Sequence, residues 1–550
     1  MNTITITIPG KEPFTVNEGI TTSDILVKFD CPKDSIMAVK INNELCSLSQ
    51  QIDINCTLEP VLLGTHEGSA IYRRTLCFVL AAASHELFPD KRLVVGHSLG
   101  YGYYYTFDSD DSINEKDLEA IGKVMRRMIS EDITIKQTHI SYEDAAALFD
   151  RLNLVETRKQ LNYICPPKVA VNAMNSFSDL YFAPLLLSTG RLKLFELRLY
   201  QEGFLLRFPM TTKPDQVSEF EDLPQLFNVY KRYKEWGKQL NVTSAASLNE
   251  LIHSHQQKEF IDITETLQNK CIADIADKIN DKNDVKVVLI AGPSSSGKTT
   301  TSKKLSMQLR ALGYMPKVIE LDTYYIGREL TPKDENGEYD YECLEALDVK
   351  QLNTDLVDLF NGKTIELPSY DFKEGKRFYT GKTMSLNPHD ILILEGIHGL
   401  NDRLTPLIDS KYKFKIYLSA LTQLNLDDHN RISTSDNRLI RRIVRDSQFR
   451  GKTASDTIKM WPSVQRGERL HIYPFQDRAD AMLNTALDYE LAVLKMYAEP
   501  LLRCVSPLQK EYTEASRLLR FLSNFLPIPV NYVPGQSLLR EFIGGSEFKY

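Results

Sequence analysis

The sequence predicts a multidomain α/β protein: a small β-grasp unit, a mixed α+β region and a doubly wound parallel-sheet domain. Three observations predict it. Residues 1–65 alternate β-branched and polar positions in short runs separated by turn signals. Val285–Ala291 (VKVVLIA) is a near-continuous apolar run, as expected of a strand buried on both faces of a parallel sheet. Helix-like stretches then alternate with further strand-like runs, which argues for βαβ units. A length of 550 residues exceeds one hydrophobic core and sets an expectation of roughly three to four domains.

In residues 1–65, Thr3–Ile8 alternates as a strand, Pro9-Gly10 turns, and a second strand precedes Thr22–Phe29, which has helical spacing. Ile36–Ile41 and Leu58–Leu63 supply further strands, the order of a β-grasp. Across 66–235, Arg74–Leu87, Lys123–Glu131 and Tyr142–Leu152 read as helices, while Leu192–Tyr200 and Gly203–Phe208 alternate as a hairpin pair. The aromatic run Tyr101–Tyr105 is expected to be a packed strand. Residues 236–281 form a polar helical linker holding Leu248–Gln257 and Ile261–Ile279, with His253 and His255 facing water. The α/β domain covers 282–505, with strands also at Lys317–Leu321, Ile391–Leu394 and Phe414–Leu418. The tail, 506–550, has one good helix, Ser516–Phe525.

Hydrophobic content of 42% and charged content of 25% are those of an ordinary soluble globular chain. The formal net charge of −7 lacks the whole-chain basic footprint of a nucleic-acid binder, leaving only a local patch open. No apolar run approaches the ~20 residues that span a bilayer. The N-terminus has no basic n-region followed by an apolar h-region, and the eight cysteines show no CxxC pair. A reduced, cytoplasmic setting without membrane contact is therefore expected.

The strongest chemical signal is Gly292-Pro-Ser-Ser-Ser-Gly297-Lys298-Thr299, which fits G-x-x-x-x-G-K-[ST]. Glycines let backbone N–H groups curl around phosphate oxygens without a Cβ clash. Gly292, Ser294, Ser295, Ser296, Gly297, Lys298, Thr299 and Thr300 are thus the expected ATP-binding residues. Lys298 would reach the β- and γ-phosphates, and Thr299 would place its hydroxyl on Mg²⁺. The following helix, about Lys298–Leu312, points its positive end at the anion.

Asp390–Gly396 (DILILEG) puts an acid at the carboxyl end of a buried-type strand, where Glu395 is a candidate Mg²⁺ ligand, directly or through water. Asp322 ends the strand Lys317–Leu321 at the same edge. Three roles are open to it: a base for an attacking hydroxyl, a Mg²⁺ ligand through water, or an N-cap of the next helix. Asn437–Asp446 is an arginine-rich helix whose Arg438, Arg441, Arg442 and Arg445 fall on neighbouring faces, read either as a lid that closes over ATP or as a solvated or RNA-facing basic surface.

With these residues in view, the stretch 285–500 resembles the uridine–cytidine kinase family, related to phosphoribulokinase. The resemblance rests on the phosphate loop, Asp322-Thr-Tyr-Tyr325, Tyr339-Asp340-Tyr341, Pro368-Ser-Tyr-Asp-Phe372, Glu395-Gly-Ile-His398 and the arginine helix. It implies Asp322 as general base for a ribose 5′-hydroxyl, Tyr325 lining a nucleoside pocket, Asp340 on ribose hydroxyls and Tyr370 beside the base. It implies Arg438 and Arg441 as lid arginines. The family often reads Tyr-Asp-Phe-x-x-His, the histidine meeting the pyrimidine edge; here the run ends in Gly375, and Lys373, Lys376 and Arg377 are the candidates to replace it. His398 is expected to be structural, and Trp236 and Trp461 carry no functional signal.

The N-terminal half resembles something else. Residues 1–63 look like a TGS domain. Glu86-Leu-Phe-Pro89, Gly100-Tyr-Gly-Tyr-Tyr-Tyr105 and Pro184-Leu-Leu-Leu-Ser-Thr-Gly190 resemble the editing domain of threonyl-tRNA synthetase. That family's H-x-x-x-H falls on Arg74 and Phe78, and its later Cys and His fall near Tyr181 and Leu185, so a binding or regulatory module is expected rather than a hydrolase. The combination resembles a bacterial nucleoside kinase. It implies a small-molecule acceptor, an RNA or regulatory ligand at the N-terminal half, and leaves a homo-oligomer open.

Overall fold

Alternating Ile4 and Ile6 bury one face of the strand Thr3–Thr7, and the same logic repeats along Cys56–Leu62. The two pair in parallel at the centre of a five-stranded mixed sheet, flanked by Phe14–Asn17 on one side and by Ile36–Ile41 and Glu44–Cys46 on the other. This is the β-grasp arrangement. Thr22–Lys28 closes it as a 3₁₀ segment where an α-helix was expected. The computed structural model describes residues 2–108, 112–282, 284–334, 337, 339–371 and 374–549. Phe372 and Lys373 of the substrate-type motif lie outside the described residues.

The chain forms two compact units, each assembled from separate segments. One comprises Met1–Gln256, Thr422–Ser433 and Lys495–Ile528; the other comprises Gln257–Leu421, Thr434–Leu494 and Pro529–Tyr550.

In the first unit, the helix expected from Arg74 starts earlier and spans His66–Leu87, because Thr65 caps it by accepting from the N–H of Gly68. It is buried along most of its length. The hairpin Glu196–Tyr200/Gly203–Arg207 continues through Gly102–Phe107 to Leu93–Leu99 as a four-stranded antiparallel sheet. The aromatic run is a packed strand from Gly102 on, where Tyr104 and Tyr105 are buried and Tyr105 stacks on Phe204 at 5.7 Å, but Tyr101 stays exposed in the turn before it with φ of +59°.

The segment Thr422–Ser433 supplies buried polar anchors to this unit. Asp428 Oδ2 accepts from the N–H and hydroxyl of Thr157 (2.9 and 3.2 Å). His429 Nδ1 lies 2.7 Å from Asp179 Oδ2, with both side chains buried. Burial by itself lowers the basicity of His429, but the charge and hydrogen bond of Asp179, with Asp428 and Asp427 beside it, outweigh burial and raise its pKa. A histidine raised above its unfolded value of about 6.5 contributes its full stabilisation below that pH and loses it as pH rises through the folded value. His429→Gln is therefore expected to destabilise the unit by about 3–5 kcal/mol at pH 6 and by progressively less as pH rises through the folded value. The two tryptophans fall one in each unit, so a Trp461→Phe background leaves Trp236 to report this unit's urea midpoint. A shift that stays constant throughout the alkaline range up to the unfolding limit would refute the ion-pair account.

The second unit holds a five-stranded, wholly parallel sheet ordered Met315–Glu320, Asp390–Glu395, Val287–Ala291, Lys413–Ser419, Ala481–Asn484. The central Val287–Ala291 is buried at every position, as its apolar run requires. Helices Gln257–Asp281, Lys298–Ala311, Val349–Phe360, Thr434–Phe449 and Ala454–His471 accompany the sheet, and an antiparallel ribbon, Ile365–Asp371 with Lys376–Met384, stands apart from it. Among the described residues no helix is long and apolar enough to cross a membrane.

Candidate active site

Parallel pairing brings three strand ends to one edge. Glu395 lies opposite Ile290 on one side and Glu320 on the other, so the loop after Ala291 opens directly beside it. That loop is strained in the places a phosphate cradle needs. Ser295 and Gly297 have φ of +60° and +80°, and Gly297 is the N-cap of Lys298–Ala311. A Cβ on Gly292 would meet the carbonyl of Leu418 at 2.5 Å, and one on Gly297 would meet the Leu538 side chain at 2.7 Å. Gly292 is thus fixed by packing, and Gly297 by packing as well as by conformation.

Lys298 folds back over the loop, its Nζ donating to the carbonyls of Gly292 (3.1 Å) and Pro293 (3.4 Å). The hydroxyls of Ser295 and Ser296 are buried without a hydrogen-bond partner. Thr299 Oγ1 donates to Glu395 Oε1 at 2.8 Å, while Glu395 Oε2 is buried with no partner. Burial pushes the Glu395 carboxyl up to about 8; Lys298 and Thr299 pull it down, and the charges of Asp322 and Glu320 push it further up. An orphaned, buried carboxylate oxygen beside a hydroxyl is a donor set that suits a hard divalent cation. Binding one requires Glu395 to surrender its proton.

Asp322 is exposed, and the strand before it ends one residue earlier than expected, at Glu320. The short 3₁₀ turn Leu321–Tyr324 therefore starts before Asp322, with Glu320 at its N-cap position, and the capping role for Asp322 falls away. Glu320 itself is raised, by burial and then by the Asp322 charge.

Tyr325 and Tyr370 come together with ring centroids 5.7 Å apart. The Tyr325 hydroxyl donates to the carbonyl of Tyr341, which ties the pair to the Tyr339–Tyr341 turn (3.1 Å). In that turn Asp340 Oδ1 accepts from the N–H of Glu342 (3.0 Å), and its Oδ2 lies 3.7 Å from His471 Nε2. Burial raises the Tyr325 hydroxyl well above its usual range, with Asp322 and Glu342 adding to it, so the base candidate and the aromatic pair share one neighbourhood. His398 is buried and pushed down to about 4 by burial and by His471, which suits a structural role.

The structure gives a steric reason for Gly375. Its φ is +68°, and a Cβ there would lie 2.8 Å from both Cβ and Nε of Arg328. Arg328 thus fills the space a histidine side chain would enter. Of the replacements expected from the sequence, Arg377 is committed to Asp348 at 2.9 Å, and Lys376 pairs in register with Asp371.

The arginine helix reaches the phosphate loop but not as the expected lid. Arg438 and Arg441 are fully buried. Arg438 forms a two-pronged pair with Glu468 (2.5 and 2.6 Å) and touches the Ser294 carbonyl (3.3 Å). Arg441 pairs with Glu490 (3.1 and 2.5 Å) and donates to the carbonyls of Ser295 (3.2 Å) and Thr485 (2.7 Å). Loop carbonyls face away from the anion that loop N–H groups face, so both guanidiniums brace the loop from behind with their charge already neutralised. Arg442 reaches the Ser294 hydroxyl at 2.8 Å.

Three acids of this network escaped the sequence reading. Glu468 also accepts from the N–H of Ser294 (3.1 Å), Glu490 anchors Arg441, and Glu342 is raised to about 7 by burial and by Glu468, against Arg442 and Lys298. None belongs to a motif; each looks in sequence like a solvated helix or loop acid.

In the N-terminal unit, the positions matching the editing histidines are packed or tied to backbone. Phe78 lies 5.7 Å from Phe177 and 5.6 Å, edge-on, from Tyr181. Arg74, lowered to about 10 chiefly by burial, donates to the carbonyl of Pro184.

The phosphoribulokinase / uridine kinase family model matches residues 287–492. A uridine kinase of Macrococcus caseolyticus is 35% identical over 181 residues, which are 33% of this chain and 78% of that protein. A uridine kinase of Staphylococcus epidermidis is 30% identical over 203 residues, 36% of this chain and 88% of that protein. The N-terminal part is similar to threonine–tRNA ligases; that of Desulforamulus reducens is 31% identical over 159 residues, 28% of this chain. The chain spans only about a quarter of that ligase's length (25%). With its phosphate loop set at the edge of a parallel sheet, the chain is a kinase and belongs to the phosphoribulokinase / uridine kinase family.

Proposed function

We propose that the protein transfers the γ-phosphoryl group of ATP, with Mg²⁺, to the 5′-hydroxyl of a nucleoside of the uridine or cytidine type. One observation carries this reading: Lys298, the Thr299–Glu395 pair and Asp322 converge at the edge where Tyr325 and Tyr370 pair. The backbone N–H groups of Ser294–Thr300 and the Lys298 ammonium hold the phosphates and offset their charge. Thr299 and Glu395 would hold Mg²⁺, whose charge screens that of the phosphates. Tyr325 and Tyr370 flank the acceptor, Asp340 receives its ribose hydroxyls, and Asp322 accepts the proton of the attacking hydroxyl. Arg438 and Arg441 act indirectly, by fixing the loop. The two relatives named as uridine kinases support the acceptor class.

The likeness to threonine–tRNA ligases favours a second role for the N-terminal half, as a β-grasp TGS module (1–65) and an editing-like module (66–235) that bind RNA or a regulatory ligand. The remaining parts of this division are a helical linker (236–281), the kinase domain (282–505) and a tail (506–550).

A coupled ATP-turnover screen of the full chain with magnesium, against nucleosides, small polyols and tRNA, tests both readings. Uridine or cytidine is expected to stimulate turnover strongly. Stimulation by another polyol alone would replace the acceptor. Turnover appearing only with tRNA would overturn the nucleoside reading.

A further inference from the structure

The segment Pro529–Tyr550 belongs to the kinase unit and runs to the phosphate loop. Glu541 Oε2 accepts from both the N–H (3.1 Å) and the hydroxyl (2.6 Å) of Thr300. Thr300 is the third residue of Lys298–Ala311. First-turn N–H groups of a helix have no intrahelical acceptor, and Thr301 is the first here to find one, the carbonyl of Gly297 at 3.0 Å. Glu541 therefore places a carboxylate on one of the donors that this helix end offers to a phosphate.

The carboxylate is delivered by a rigid support. Leu538, Leu539 and Phe542 are fully buried. Leu538 abuts Gly297, and Phe542 lies under the Arg441 guanidinium, 5.0 Å from ring centroid to Cζ. Ser537 Oγ is 3.2 Å from the Tyr489 hydroxyl, which in turn bonds Glu265 at 2.6 Å. The Glu541 charge also reaches Arg445 on the arginine helix and Glu320 at the strand edge.

We propose that Glu541 is a resident anion at the phosphate-binding end of this helix, competing with the triphosphate and so setting the protein's nucleotide affinity. A carboxylate that accepts from a helix N-terminal N–H and a hydroxyl offers what a phosphate oxygen offers, and two anions cannot share those donors without repulsion. Nucleotide entry must draw Glu541 off Thr300 or bind against its charge. The inference rests on reading the loop as a triphosphate site.

The test is the calorimetric Kd for Mg·ATP of the full chain and of Glu541→Gln, which keeps shape and removes charge. The variant is expected to bind about tenfold more tightly. If Glu541 were only a helix cap, the variant would melt lower and bind ATP unchanged or more weakly, and that result overturns the proposal. A wild-type chain that binds no ATP overturns the triphosphate reading along with it. Hydrogen exchange of residues 537–547 in the wild type gives a second readout that no folding defect can disturb. Saturating Mg·ATP is expected to speed it, and unchanged or slower exchange counts against competition.

Discussion

Replacing Lys298 with alanine lowers phosphoryl transfer by on the order of 10²–10³-fold, as loss of a preorganised charge donor does in other active sites. The expectation follows from where the ammonium sits. Its two loop contacts, to the carbonyls of Gly292 and Pro293, are weak at 3.1 and 3.4 Å, so the group is held near the loop but can turn to a phosphate. It also restrains Glu395 and, after Arg442, Glu342, both raised by burial. Its removal therefore has a second consequence: Glu395 becomes harder to deprotonate, and Mg²⁺ binding suffers together with ATP binding. Single-turnover rates at saturating Mg·ATP separate the transfer defect from the binding defect. A variant that transfers at the wild-type rate would remove Lys298 from the site.

The features that were legible in the sequence are those whose signal is local. Val285–Ala291 announces a buried strand by its side chains alone, and the phosphate loop announces itself because its glycines, lysine and threonine fall at a fixed spacing within eight residues. The β-grasp unit is readable through two-residue alternation. What failed to show depends on partners far along the chain. The arginine helix has the composition of a solvated face, yet Arg438 and Arg441 are buried because Glu468 and Glu490 lie 30 and 49 residues further on. The claim of Glu541 on Thr300 spans 241 residues, and that of Asp428 on Thr157 spans 271. No window or motif contains both members of such a pair. The one-residue error at Glu320 is of another kind. Leu321 suits a strand equally well, and only the turn that positions Asp322 decides against it.

Asp322→Asn is expected to lower transfer to the acceptor by about 10²–10⁴-fold while leaving Mg·ATP affinity largely intact. Among the described hydrogen bonds none joins Asp322 to the phosphate loop, so the substitution leaves the hydrogen bonds of Lys298 and Thr299 in place. Its setting separates it from the other acids at this edge. Glu395, Glu320 and Glu342 are raised by burial, and Glu395 is engaged with the Thr299 hydroxyl. Asp322 is exposed on its turn, beside the Tyr325–Tyr370 pair, and so meets the acceptor side of the site. Asparagine keeps the size and one carbonyl oxygen but cannot take a proton. Measuring turnover and the Mg·ATP Kd together separates the two roles that the sequence left open. Loss of turnover with unchanged Kd makes Asp322 the base. Loss of both makes it a water-mediated magnesium ligand. Wild-type turnover would exclude it from the chemistry and move the search for a base to Asp340.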